Sequence, residues 1–274
     1  MLDILIENFG IGGAWVMGAL VVFLRYVLFA GVAFSMFYVL WKQRFARRKI
    51  QIRFPKVRRI WYEIEHSFIT ATVFMLILIG IYFLRKAGYT QIYLGVADYG
   101  WGYLVFSFFV LTILHDTYFY WTHRLMHHPK LFRYFHKVHH ISNNPTPWAS
   151  LSFHPLESMV EIAIVPLVIF IIPFHPIVLI VFGAWSLLFN IMGHLGYELF
   201  PKGFVQHRVW KWVNTSTHHN LHHSRSNCNY GLYYNFWDRW MGTNAPDYEQ
   251  QFEQVVQGKP RNTKKVKSNQ AITS

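Results

Sequence analysis

Cysteine is almost absent from this chain: Cys228 stands alone in 274 residues, which excludes an intrachain disulfide and a cysteine-rich cluster site. Charge is scarce as well, at 14% of residues against 53% hydrophobic and 19% aromatic. That balance is too apolar for a soluble domain of this length and points to a membrane protein. Acid is scarcest, with 13 Asp and Glu against 26 Lys and Arg for a net charge of +13. In a soluble protein such an excess would suggest nucleic acid, but nine of the basic residues crowd 42–59 between two apolar runs. There they face anionic headgroups and set topology, so no nucleic-acid partner is expected.

Other absences narrow the class further. No Gly/Ser linker, Pro-rich tract or repeat divides the sequence, so 1–257 is expected to form one membrane-embedded domain, with 258–274 a disordered basic tail. No Gly-rich dinucleotide fingerprint occurs, and no HExxH zinc-hydrolase motif. Asp3 and Glu7 open the chain without a basic flank, which predicts a retained helix over 13–40 rather than a cleaved signal.

Five apolar runs are present, at 13–40, 64–84, 101–121, 156–172 and 177–195. A crossing helix needs about 20 residues, so the short last pair, joined through Pro173 and Pro176, either spans or dips in as a hairpin. The expected fold is an all-α integral membrane protein of four to five membrane-embedded helices carrying a cytosolic, histidine-rich helical cap. The basic loop puts 42–59 inside and the N-terminus outside, and delivers 122–155 and everything after 196 to the cytosolic face. Arg25, midway along the first run, fits as a snorkelling or bundle-lining residue.

What the chain has in abundance is histidine, 16 in all, and ten fall in two short windows. His123 and His127 have i, i+4 spacing at the end of the third run, which stacks both imidazoles on one helical face where they can hold one metal. His136, His139 and His140 form an HxxHH box, a trio able to serve two neighbouring metals, and His219, His222 and His223 repeat it. By chance such a box is expected only about 0.05 times. His66, His128, His175 and His207 read as ordinary surface or core residues, and His115 is two turns from His123, too far to share its metal.

Near the end of the last run Asn190, His194 and Glu198 share a helical face, an expensive polar stripe unless it is used. His194 reads as a ninth imidazole ligand, and Glu198 as either a partner orienting a ligand or a ligand itself. Asp116 is expected to orient a ligand or cap the bundle interior, His154 to support a ligand, and ligation by Cys228 stays open as a lesser option. Nine imidazoles exceed what one ion uses, so two metals are implied. Imidazole accepts iron, copper, nickel or zinc. Iron is preferred because a ligand-rich pair at a lipid face suits redox work on substrates without a hydrolysable bond. The rival reading is a histidine-rich metal-binding or metal-transport protein. It is disfavoured by the near absence of ionisable groups in the middles of the runs at 64–84, 101–121 and 177–195.

Three stretches, HDTYFYWTHRLMH (115–127), FHKVHH (135–140) and HHNLHH (218–223), resemble the histidine boxes of the fatty acid hydroxylase and sterol desaturase superfamily of membrane di-iron enzymes. The resemblance covers roughly 101–244. NPTPWAS (144–150) with FHP (153–155), and NYGLYYNFWDRWMGT (229–243), are similar to the sterol C-5 desaturase branch. Leu151 and Glu198 depart from it, standing where other members place further histidines. The resemblance implies metal ligands at His123, His127, His136, His139, His140, His194, His219, His222 and His223. It also implies two non-haem irons, replaceable by zinc in a purified sample, with O2 as co-substrate. The implied reaction is hydroxylation or desaturation of a lipid (a sterol, fatty acyl chain or relative) in the inner membrane of a bacterium or the endoplasmic reticulum. Electrons are expected from a b-type cytochrome or a ferredoxin with its reductase. Trp148, Trp185 and Tyr230 are candidates to line a lipid slot, or else belong to the interfacial belt or core.

Overall fold

The computed structural model describes residues 2–51 and 53–258, so the expected tail beyond Gly258 lies outside the described residues. Those residues form ten α-helices and no strand: α1 (Leu2–Phe34), α2 (Val57–Lys86), α3 (Gly100–Met126), α4 (Pro129–Phe135), α5 (Lys137–His140), α6 (Pro155–Ile169), α7 (Pro176–Gly193), α8 (Ser216–Arg225), α9 (Phe236–Trp240) and α10 (Tyr248–Val256).

Four helical segments are long and apolar enough to cross a membrane: Leu2–Leu40, Val57–Lys86, Gly100–Met126 and Pro176–Gly193. The first starts earlier than the hydrophobic run suggested and continues past α1 as a π-helical turn, Ser35–Leu40. Large side chains such as Leu24, Leu28, Val105, Phe106 and Ile180 point outward from these helices, the reverse of a soluble protein and the pattern that lipid stabilises. Arg25 turns toward α7, where Gly183 leaves room for its guanidinium.

The remaining run, α6, has 15 residues, about 22 Å of helix against a hydrocarbon core of about 30 Å. Its connection to α7 nevertheless reaches the end of the bundle that holds the α2–α3 loop. Gln91 N donates to Ile169 O at 2.7 Å, Tyr103 Oη to Pro173 O at 3.0 Å, and His175 Nε2 to Leu94 O at 2.9 Å. Asp3 lies at this same end, accepting from Tyr82 Oη at 2.6 Å and facing Lys86 Nζ at 3.4 Å. The N-terminus, the α2–α3 loop and the α6–α7 turn therefore share one end, and every histidine box lies at the other.

The apolar core between α2, α3, α6 and α7 is built around Leu111, Phe119, Ile164, Ile169, Phe182 and Tyr233. A second cluster seats the segment Pro147–Leu151 under α1: Tyr26 Oη donates to Trp148 O at 2.6 Å, and the Trp148 ring packs 5.8 Å from Tyr26. Trp185 packs against Phe108 and Phe189, so Trp148 and Trp185 are both core residues.

Part of the basic loop is put to structural use. Arg48 NH1 donates to Phe200 O at 3.0 Å, Ile50 N to Gly196 O at 2.8 Å, and Glu198 N to Arg48 O at 2.9 Å. The Lys49 ammonium sits over the rings of Tyr38, Phe54 and Tyr197. These contacts fasten the loop to the cap beside the last membrane helix.

Candidate metal centre

The cap is assembled from short helices, two of which, α4 and α8, have their starts fixed by side chains. His128 caps α4 ahead of Pro129, and Thr215 caps α8 by accepting from His218 N at 3.2 Å, each satisfying a backbone donor that a helix start leaves free. Glu198, fully buried, completes the α8 cap. Its Oε2 accepts from Thr217 N at 3.0 Å and Thr217 Oγ1 at 2.6 Å, and its Oε1 from Phe200 N at 3.1 Å. Glu198 belongs to neither imidazole group, so the open question of its role resolves to helix capping. The His154 side chain likewise caps α6, accepting from Leu156 N at 3.2 Å.

All nine histidines singled out in the sequence come together, in two adjacent groups. His123, His127, His136, His140 and His222 form one, and His139, His194, His219 and His223 the other; within each group the candidate ligand atoms lie within 4.8 Å of one another. The two HxxHH boxes are used in mirror fashion. The 136/140 pair joins the first group and His139 crosses to the second, whereas the 219/223 pair joins the second and His222 crosses to the first. Residues four apart project in nearly the same direction on a helix, and the one three along diverges. One box can thus feed both groups.

Tautomers follow from the acceptors. His123 Nδ1 lies 2.8 Å from Tyr230 O, His222 Nδ1 2.8 Å from Cys228 O, His194 Nδ1 2.7 Å from Asn190 O, and His139 Nδ1 3.3 Å from Ser152 O. A carbonyl oxygen only accepts, so each Nδ1 carries the proton and each Nε2 is left bare. Burial, reinforced by neighbouring imidazoles, holds His139 and His140 well below the ordinary histidine value; burial also pulls His194 and His222 down to about 4. The rings are neutral.

Bare nitrogens then face each other at close range: His123 Nε2 to His136 Nε2 at 2.9 Å, and His139 Nε2 to His194 Nε2 at 3.2 Å. Two lone pairs at that distance repel unless a cation lies between them, and this donor set fits metal ions in both groups. His115 stands apart, stacked among Phe119, Phe182 and Tyr233. The Cys228 thiol is not in either group; its backbone carbonyl is what meets His222.

Three carboxylates hold the arrangement, and the sequence reading missed two of them. Glu157 Oε1 receives His136 Nδ1 at 2.6 Å inside a site from which both are excluded from solvent. Asp238 receives Tyr230 N and Gly231 N at 2.8 Å each and Thr243 Oγ1 at 2.7 Å. Asp116, expected to orient a ligand or cap the interior, takes the backbone of 232–234. Asp116 and Asp238 thus clamp the loop whose carbonyls at Cys228 and Tyr230 orient His222 and His123. Glu161, four residues beyond Glu157, lines with Glu157, Asn190, Phe119 and Phe153 a small cavity that touches both imidazole groups. The signal was available: a Glu pair at i, i+4 in an apolar run is as costly as the Asn190 stripe.

Comparison with known proteins agrees with this site. The fatty acid hydroxylase family model matches residues 108–243, which include all nine histidines. A Delta(7)-sterol 5(6)-desaturase of Schizosaccharomyces pombe is 30% identical over 253 residues, covering 91% of this chain and 69% of the relative. Another of Gibberella zeae is 30% identical over 191 residues, covering 70% and 57%, and the lathosterol oxidase of Rattus norvegicus is 32% identical over 167 residues, covering 60% and 54%. The chain thus spans little more than half the length of several curated relatives. No solved structure matches significantly. Matched across almost its whole length by a sterol desaturase relative, and carrying the family's histidine boxes on converging helices, this chain belongs to the fatty acid hydroxylase family.

Proposed function

We propose that this protein is a membrane-bound non-haem di-iron oxygenase that hydroxylates or desaturates a lipid, taking electrons from an external b-type cytochrome or a ferredoxin with its reductase. The observation that carries the reading is the convergence of nine imidazoles into two adjacent groups, with Nε2 atoms opposed at 2.9 and 3.2 Å. His123, His127, His136, His140 and His222 would hold one iron, and His139, His194, His219 and His223 the other. Iron bound there supplies the two-electron activation of O2 needed to break an unactivated C–H bond.

The chain's own residues provide the rest. Burial of both groups keeps bulk water away from the imidazoles, and Phe119 and Phe153 form the apolar side of the small cavity that touches both. Tyr230 closes over the five-histidine group, its ring 5.2 Å from that of His127. Positive charge in the 42–59 loop, at the histidine end, supports a cytosolic site with the N-terminus outside.

Because the relatives' names specify sterols, a sterol is the first substrate to test. The experiment is comparative lipid mass spectrometry of cells with and without the chain, grown under labelled oxygen and fed sterol or acyl precursors. A lipid that gains one labelled oxygen or loses two hydrogens supports the reading. An unchanged lipid profile from metal-loaded protein supplied with a reductase overturns it.

A further inference from the structure

The imidazoles of the two groups are not backed alike. His123, His139, His194 and His222 direct Nδ1 at neutral backbone carbonyls, and His140 Nδ1 faces the Ser226 hydroxyl. His136 alone among the nine has a carboxylate behind it, Glu157 Oε1 at 2.6 Å, and Glu157 is completely excluded from solvent. Among the described residues, Nδ1 of His219 and of His223 has no hydrogen-bond partner.

A carboxylate behind an imidazole fixes its ring and tautomer and pushes electron density toward Nε2, strengthening that nitrogen as a donor; a carbonyl does this less. Burying a carboxylate without positive charge nearby is costly. Glu157 meets His136 as a hydrogen-bond partner, so positive charge held by the five-histidine group would reach the carboxyl through that ring. Among the described residues no carboxylate is hydrogen-bonded to an imidazole of the other group, and Glu198, the acid nearest to it in sequence, is committed to Thr217 and Phe200.

We infer that Glu157 is a positioning residue that makes the five-histidine group the tighter and electronically distinct one of the two metal sites. This rests on the two-metal reading above. It implies inequivalent irons: the one beside Glu157 is held more strongly, and the one held by His139, His194, His219 and His223 exchanges more readily.

The test is release of iron to a chelator from the purified, iron-loaded full chain, followed in time and paired with Mössbauer spectra. Wild type should release its metal in two phases of similar amplitude, with His219→Ala abolishing the fast one. Glu157→Leu should speed the slow phase by about 10- to 100-fold and leave the fast phase alone. Glu157→Gln keeps an acceptor without the charge and should fall between, shifting one of two iron signals; it carries the test should the leucine variant fail to fold. A merely structural role would move both phases and the melting temperature together. Wild type with two metals whose slow phase is unchanged in both variants, or whose phases accelerate equally, overturns this inference alone. Wild type that takes up no metal overturns the functional reading and this inference with it.

Discussion

Asp116 Oδ1 accepts the backbone N–H of Tyr233 at 2.7 Å, across 117 residues of sequence. The same oxygen lies 3.2 Å from Leu232 N and 3.3 Å from Tyr234 N, so one buried carboxylate on α3 sets the path of a loop three residues wide. Just before those residues, Tyr230 and Cys228 supply the carbonyls that orient His123 and His222. Removing the acceptor strands buried N–H groups, each costing about 1–3 kcal/mol. Asp116→Ala should therefore lose about 3 kcal/mol or more of stability in detergent. Asp116→Asn, which keeps an acceptor, should lose much less. Thermal unfolding of the two variants beside wild type checks this; equal melting temperatures for all three would contradict it.

Single-histidine variants should separate catalysis from folding. His136→Ala and His222→Ala are expected to abolish lipid oxidation while the protein still inserts and elutes as folded. Metal analysis should show a content below the wild-type value of about two ions per chain. Full turnover by either variant would remove the proposed centre.

Glu198 gives the opposite signature. It caps α8 through Thr217 and Phe200 and contacts no imidazole group. Glu198→Ala should cost about 1–2 kcal/mol of stability, as loss of a helix cap does, yet leave metal content at the wild-type level below the melting temperature. Metal loss without destabilisation would show that it is a ligand after all.

Topology offers a test free of chemistry. Asp3 lies at the end opposite the histidines, and the α6–α7 turn reaches that same far end. Accessibility tags at the N-terminus and after α10 should therefore report opposite membrane faces, the C-terminal one cytosolic. Tags on the same face would require an even number of crossings, four or six.

Much of this was legible in the sequence, for definite reasons. The apolar runs found the membrane helices because crossing a bilayer demands a length and a composition; the boxes pointed to eight of the nine converging imidazoles because i, i+4 spacing carries its geometry with it, and the polar stripe pointed to His194. Glu157 and Asp238 were missed because their partners, His136 and the backbone at Tyr230 and Gly231, are joined to them only by folding. Glu198 shared the spacing of a ligand stripe with Asn190 and His194, but the chain leaves the helix at Gly193, so the stripe ends before reaching it. Gly196, with φ +72°, begins the turn that redirects Glu198 toward α8.

The opposed lone pairs of His123 and His136, and of His139 and His194, make the cap a structure that is complete only around positive charge. Cells starved of the metal should accordingly produce a protein that is fully inserted, its bundle intact, but with 127–155 and 214–235 loosened. Those two stretches would become the first places a protease cuts, which would make the supply of metal a control on the protein's lifetime as well as on its activity.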